Sequence, residues 1–232
     1  EAIFNAHGRN FARYVGHPLV DELHVSGTRE QIRDRHGLSL DQPLLVLMPG
    51  SRRSEVRLLL PSMLQAAQQL KSDGWQVVLL KAPTIDRSYL EEVMGGRPLT
   101  VALVDGDAYN LLHAADAGVI ASGTATLETL LSKRPMVVAY RLGAATAFLL
   151  QRLGLVKVQH FSQPNLLSGR EVVPEFFQAA ATPEALGAAL LGWLDSPARL
   201  PPLQAAFDEI HERLRCGGAG LAADAVIELL AR

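Results

Sequence analysis

The chain has 232 residues, 48% of them hydrophobic, and a formal net charge of -2 from 22 basic and 24 acidic side chains. That hydrophobic share excludes a disordered chain, and the length suits one large α/β domain, or one and a half small ones, with a sizeable core. The balanced charge, with no basic block, argues against a nucleic-acid backbone as partner, although a small phosphorylated ligand needs only a few donors.

The single cysteine, Cys216, rules out an intrachain disulfide and suits a reducing compartment. The chain opens Glu1-Ala2-Ile3-Phe4 without an initiator Met or a basic-then-apolar run, so we expect a fragment rather than a secreted precursor. No stretch reaches the ~18 uninterrupted apolar residues of a bilayer span.

In chain order, Val15–Leu19 reads as a short strand running into a turn. Thr28–His36 is helical, with Gly37 as its stop. Leu44–Met48 is apolar on both faces, as in a central parallel strand, and ends abruptly in Pro49-Gly50-Ser51-Arg52. The next helix is expected to open near Pro61, with Met63, Leu64, Ala67 and Leu70 as its apolar stripe. Strands over Trp75–Leu80, Thr100–Val104, Ala117–Ala121 and Met136–Tyr140 alternate with helices over Arg87–Val93, Ala108–Ala115 and Ala125–Leu131. That alternation predicts a Rossmann-like parallel sheet with helices on both faces. Beyond Tyr140 the expectation is an apolar helix (Ala144–Leu153) and a polar loop (Gln163–Glu175). Helices over Pro183–Asp195, Leu203–Leu214 and Leu221–Ala231 follow, with no further strand.

Three segments carry groups suited to chemistry. The first is Gly50-Ser51-Arg52 with Glu55, at the carboxyl end of a buried strand, where open α/β sheets bind ligands. Gly50 lets backbone approach closely, Ser51 offers a hydroxyl, and Arg52 offers a fork matched to phosphate oxygens. Arg53 and Glu55 read equally as a solvated turn. The second is Ser122-Gly123-Thr124-Ala125 with Glu128. Its first helical amides suit a diphosphate, and Glu128, about one turn in, is placed for ribose hydroxyls. The same residues also read as a capped helix. The third is Gln163–Glu171, where Asn165, Arg170 and Glu171 are polar groups beside apolar helices. There is no GxxxxGK[ST], HExxH, GxGxxG or GxSxG, and seven scattered histidines show no ligand spacing, so neither metal nor cofactor is expected.

Together these pieces resemble the lipid-A-disaccharide synthase family. The resemblance rests on Gly16-His17-Pro18-Leu19 with Asp21, Leu47-Met48-Pro49-Gly50-Ser51-Arg52 with Glu55, Ala121–Glu128, Tyr140-Arg141, Pro164-Asn165-Leu166-Leu167 with Gly169-Arg170-Glu171, and Arg215-Cys216, in that order. It implies the C-terminal, donor-binding half of a GT-B glycosyltransferase. In that family a diacylglucosamine unit passes from UDP to 2,3-diacylglucosamine 1-phosphate (lipid X), with inversion at the anomeric carbon. Arg52 and the Ser122–Thr124 turn would hold the UDP diphosphate, Glu128 the ribose, and Asn165 would face the donor from the cleft. One departure is Gln163, where the family has an apolar residue.

The acceptor site and general base would lie in an N-terminal half outside this chain, so no base is assigned. Residues 1–232 would form one domain, with helices from about 200 onward packing on that other half. The enzyme would be cytoplasmic and peripheral at the inner face of the inner membrane of a Gram-negative bacterium, with a homodimer as a possible assembly. Ala144–Val156 either lies in the membrane interface or packs as core. The alternatives are another UDP-sugar GT-B enzyme, such as a UDP-GlcNAc 2-epimerase or a MurG-like transferase, and a non-catalytic nucleotide-binding module.

Overall fold

The computed structural model describes residues 12–96, 101–143, 146, 159–215 and 217–231. In chain order the elements are α1 (Pro18–Glu22), α2 (Arg29–Arg35), β1 (Leu44–Met48), α3 (Arg53–Ser72), β2 (Gln76–Lys81), α4 (Arg87–Val93), β3 (Ala102–Asp105), α5 (Ala108–Ala114) and β4 (Ala117–Ala121). They continue with α6 (Thr124–Leu131), β5 (Met136–Tyr140), α7 (Gln163–Ser168), β6 (Glu175–Phe177), α8 (Pro183–Leu194), α9 (Leu200–Leu214) and α10 (Gly218–Leu230). The expected apolar helix over Ala144–Leu153 (Thr146 aside) and Cys216 lie outside the described residues.

The strands pair in the order β3-β2-β1-β4-β5-β6, and every pairing is parallel. Residues of β1, β4 and β5 are buried on both faces, which is why their sequences are unbroken apolar runs. The chain moves outward from β1 to β3, then returns across the sheet to β4. The reversal between β1 and β4 leaves a crevice at their carboxyl ends. At the opposite end of the sheet, Arg33 is 1% exposed and donates to the Ala114, Ser39 and Gln42 carbonyls and, at 2.8 Å, to Asp116. Asp116 also accepts the Leu44 amide, so one carboxylate locks the starts of β1 and β4 together.

Several expectations fail for identifiable reasons. Val15–Leu19 does not form a strand. His17 Nδ1 accepts the Leu19 amide, and Pro18 opens α1, because proline supplies the first-turn φ without needing a donor. The helix after β1 opens at Arg53 and not near Pro61, which sits inside α3. Proline there cannot donate to the Arg57 carbonyl. Within the same turn, Arg141 donates to the Leu58 carbonyl at 3.0 Å, and also to the Gln178 and Ala181 carbonyls. The segment expected as a loop holds α7 and runs at its last residue into a sixth strand, β6. Three residues are too few for alternation to register, yet β6 closes the edge beside β5, where Tyr140, Phe161 and Phe177 pack ring to ring.

Candidate functional site

The β1–α3 and β4–α6 turns meet over the crevice and line one cavity of about 420 Å³. Of the residues singled out from sequence, Gly50, Ser51, Arg52, Glu55, Ser122, Gly123, Thr124, Ala125 and Glu128 all border it. Asn165 does not.

In the first turn Glu55 folds back under its own loop. Its carboxylate accepts the amides of Ser51 and Arg52 at 3.2 and 3.3 Å and takes Arg52 Nη1 at 2.7 Å. Gly50 makes this possible. Its φ is 110°, and a Cβ there would lie 2.4 Å from Glu55 Oε2. Glycine is therefore required by the carboxylate beneath it, and Glu55 is an internal partner of the loop, not part of a solvated turn. The Arg52 side chain is 77% exposed despite its tether, so its remaining donors are open to the cavity mouth.

In the second turn Ser122 is tied down. Its amide donates to Ala139 and its hydroxyl to the Phe161 carbonyl at 2.8 Å. Gly123 takes φ 150° and ψ -161°, a conformation only glycine adopts easily, and starts α6 with no side-chain cap. The capped-helix reading therefore fails. Neither Ser122 nor Thr124 occupies the first amides, which lie at the cavity with the positive end of the helix dipole. Glu128 stands about one turn further in, where burial pushes its carboxyl above the usual range.

Asn165 is a correction. It is fully buried in α7, where its oxygen accepts the Val172 and Val173 amides and its nitrogen donates to the Val173 carbonyl. It shapes the bend into β6 and does not face the cavity. The third segment works from behind. Glu175 accepts the Phe161 and Ser162 amides, placing the Phe161 carbonyl for Ser122, and the Gln163 amide donates to Thr126. Arg170 and Glu171 border a separate surface cavity with Trp193 and Arg199.

Lys81 and Asp107, which the sequence reading passed over, also line the main cavity. Lys81 pairs with Asp105 at 2.9 Å. Asp107 has a left-handed backbone, φ 55°, and is held by His36 at 2.7 Å and by Asn110. Although burial opposes it, hydrogen bonds from Asn110 and His36 keep the Asp107 carboxyl below its ordinary range. Both residues sit where strands β2 and β3 end, so the same carboxyl-end rule that picked out Arg52 points to them.

The strand order, the parallel pairing and the switch point define a Rossmann-like α/β domain of the kind found in GT-B glycosyltransferases. Two solved structures share it. The first is E. coli ADP-heptose lps heptosyltransferase II, with TM-score 0.54 and 18% identity over 76% of this chain and 54% of that one. The second is WaaG, a glycosyltransferase involved in lipopolysaccharide biosynthesis, with TM-score 0.53 and 16% identity over 90% of this chain and 54% of that one. At these identities the likeness concerns fold alone.

The chain belongs to the lipid-A-disaccharide synthetase family, whose family model matches residues 1–217. It is 46% identical over 223 residues to the lipid-A-disaccharide synthase of Pseudomonas aeruginosa (strain LESB58), covering 95% of this chain and 58% of that protein. It is 41% identical over 224 residues to that of Xylella fastidiosa (strain 9a5c), covering 94% of this chain and 58% of that protein. The chain thus spans somewhat over half the length of the curated relatives it matches.

Proposed function

We propose that this chain is the donor-binding half of an inverting glycosyltransferase. The reaction joins a diacylglucosamine unit from UDP-2,3-diacylglucosamine to lipid X, forming the lipid A disaccharide and releasing UDP. One observation carries the reading: an arginine, an uncapped helix amino end and a carboxyl converge on a single cavity from two turns flanking the switch point. The diphosphate lies between Arg52 and the first amides of α6, and the ribose hydroxyls reach Glu128. As the sugar–phosphate bond breaks, negative charge grows on the leaving UDP, and Arg52 with the α6 dipole meets it. The base that takes the acceptor hydroxyl proton comes from the other half of the enzyme.

Calorimetric titration of this chain with UDP tests the pocket. We expect binding without turnover of UDP-diacylglucosamine and lipid X, and no heat of binding refutes the assignment. In the full-length enzyme Arg52 and α6 supply the positive charge, so activity is expected to survive EDTA. Loss on chelation and rescue by Mg²⁺ would contradict that. Both substrates are acylated, so we place the enzyme at the cytoplasmic face of the inner membrane. In the described residues no helix is long and apolar enough to cross a membrane. The last helix, α10, buries only Gly218 and exposes Val226, Ile227, Leu229 and Leu230, which suits a surface that packs on the other half.

A further inference from the structure

The loop that carries Arg52 is held from outside as well as from within. The Ser51–Arg52 peptide is pinned at both ends. Its carbonyl accepts a hydrogen bond from the Thr84 hydroxyl at 2.6 Å, and its amide donates to Glu55 at 3.3 Å. One residue on, the Arg53 carbonyl accepts the Tyr89 hydroxyl at 2.9 Å, and the Arg53 guanidinium lies 4.8 Å from the centre of the Tyr89 ring. Thr84 and Tyr89 come from the segment after β2. That segment is itself anchored. Ile85, between them, is 2% exposed and sits in the core, and its amide closes a turn onto the Ala82 carbonyl at 3.0 Å.

We propose that Thr84 and Tyr89 are positioning residues for Arg52, a brace by which the β2–α4 segment fixes the phosphate-facing arginine. The assignment rests on the nucleotide reading of the cavity. Arg52 sits at the end of a long side chain. A small rotation of the Ser51–Arg52 peptide would move its guanidinium by about an ångström, enough to degrade a phosphate contact. Glu55 holds the Ser51 and Arg52 amides and the Arg52 guanidinium, and leaves the carbonyl side of the peptide free. Thr84 removes that freedom by holding the carbonyl side. Tyr89 does the same for the next residue, and it turns the Arg53 side chain away from the cavity onto its own ring. The two carbonyl dipoles are directed at hydroxyl donors, so neither presents a bare oxygen to a bound diphosphate.

The test uses this chain, with UDP and uridine as probes followed by NMR titration, and melting temperature recorded alongside. Thr84→Val keeps the volume and β-branching and removes only the hydroxyl. Tyr89→Phe removes only the phenolic oxygen. Each should weaken UDP about threefold to tenfold, the size of one net hydrogen bond, and leave uridine affinity unchanged, because uridine has no phosphate for Arg52 to meet. Thr84→Ser should restore UDP binding. A UDP-to-uridine affinity ratio that neither variant moves would overturn the brace while leaving the nucleotide site intact. A parallel loss of UDP and uridine would also overturn it, as a general structural effect. If the unsubstituted chain binds no UDP, the nucleotide reading and the brace fall together.

Discussion

At the cavity, the chemistry of Glu128 is set by its burial. Burial raises its carboxyl, so the ligand-free folded state holds that proton more tightly than the unfolded chain does. The resulting stability is complete at acid pH and is lost as pH rises through the raised value. Glu128→Gln removes this loss. The melting temperature of the unsubstituted chain should therefore fall relative to the variant as pH rises from the ordinary glutamate range through the raised value. Nucleotide binding runs the other way. On the proposed nucleotide reading, ribose hydroxyls would donate to the ionised carboxylate, so UDP should weaken as pH drops through the same value, and the variant should bind about tenfold more weakly and keep only the pH dependence of the UDP phosphate itself. Equal pH profiles for the two proteins would remove Glu128 from the site.

Asn165 teaches the opposite lesson. In sequence it was a polar group in an apparent loop, indistinguishable from a ligand contact, because nothing local reveals that its amide satisfies three backbone groups across the bend into β6. Asn165→Ala should cost about 2–3 kcal/mol, lowering the melting temperature by several degrees, with UDP affinity retained in the folded fraction. A stable Asn165→Ala chain that has lost UDP binding would restore Asn165 to the site.

At the level of elements, the two turns were legible because each ends an unbroken apolar strand in small polar residues, with Arg52 in the first, and the carboxyl-end rule does the rest. What remained hidden was which groups those turns use on themselves. Gly50 reads in sequence as room for a ligand, but the space is filled by Glu55 from the following helix, a contact set by how α3 opens at Arg53. Pro61 misdirected the reading of that opening, since proline at a first turn is commoner than proline inside a helix. Gly50→Ala should cost about 1–2 kcal/mol for its left-handed backbone alone. It should also expel Glu55, freeing Arg52, so that UDP affinity and melting temperature fall together. Normal UDP binding by Gly50→Ala would show that Glu55 does not organise this loop.

Across the whole molecule, the alternation of strands and helices was enough to read the parallel sheet, since β1, β4 and β5 are buried apolar runs and helices join β1 through β5 in turn. The sixth strand escaped because three residues at an edge carry no periodicity. Among the described residues, α10 carries a strip of exposed apolar side chains. The chain made alone should therefore self-associate with rising concentration in sedimentation velocity. Ile227→Lys with Leu230→Lys should abolish that without lowering the melting temperature, and a monomer at all concentrations would contradict it. The strand order also sets a sequence in time. β1 gains β2 as a neighbour almost at once, but its other partner is β4, and the Asp116 carboxylate that meets Leu44 lies 72 positions further on. Until that stretch leaves the ribosome, one flank of the most apolar strand has no partner to pair with, whatever β2 and β3 have done on the other. Synthesis thus passes through a half-built sheet with an adhesive edge, and the return of the chain to β4 is the step that ends the exposure.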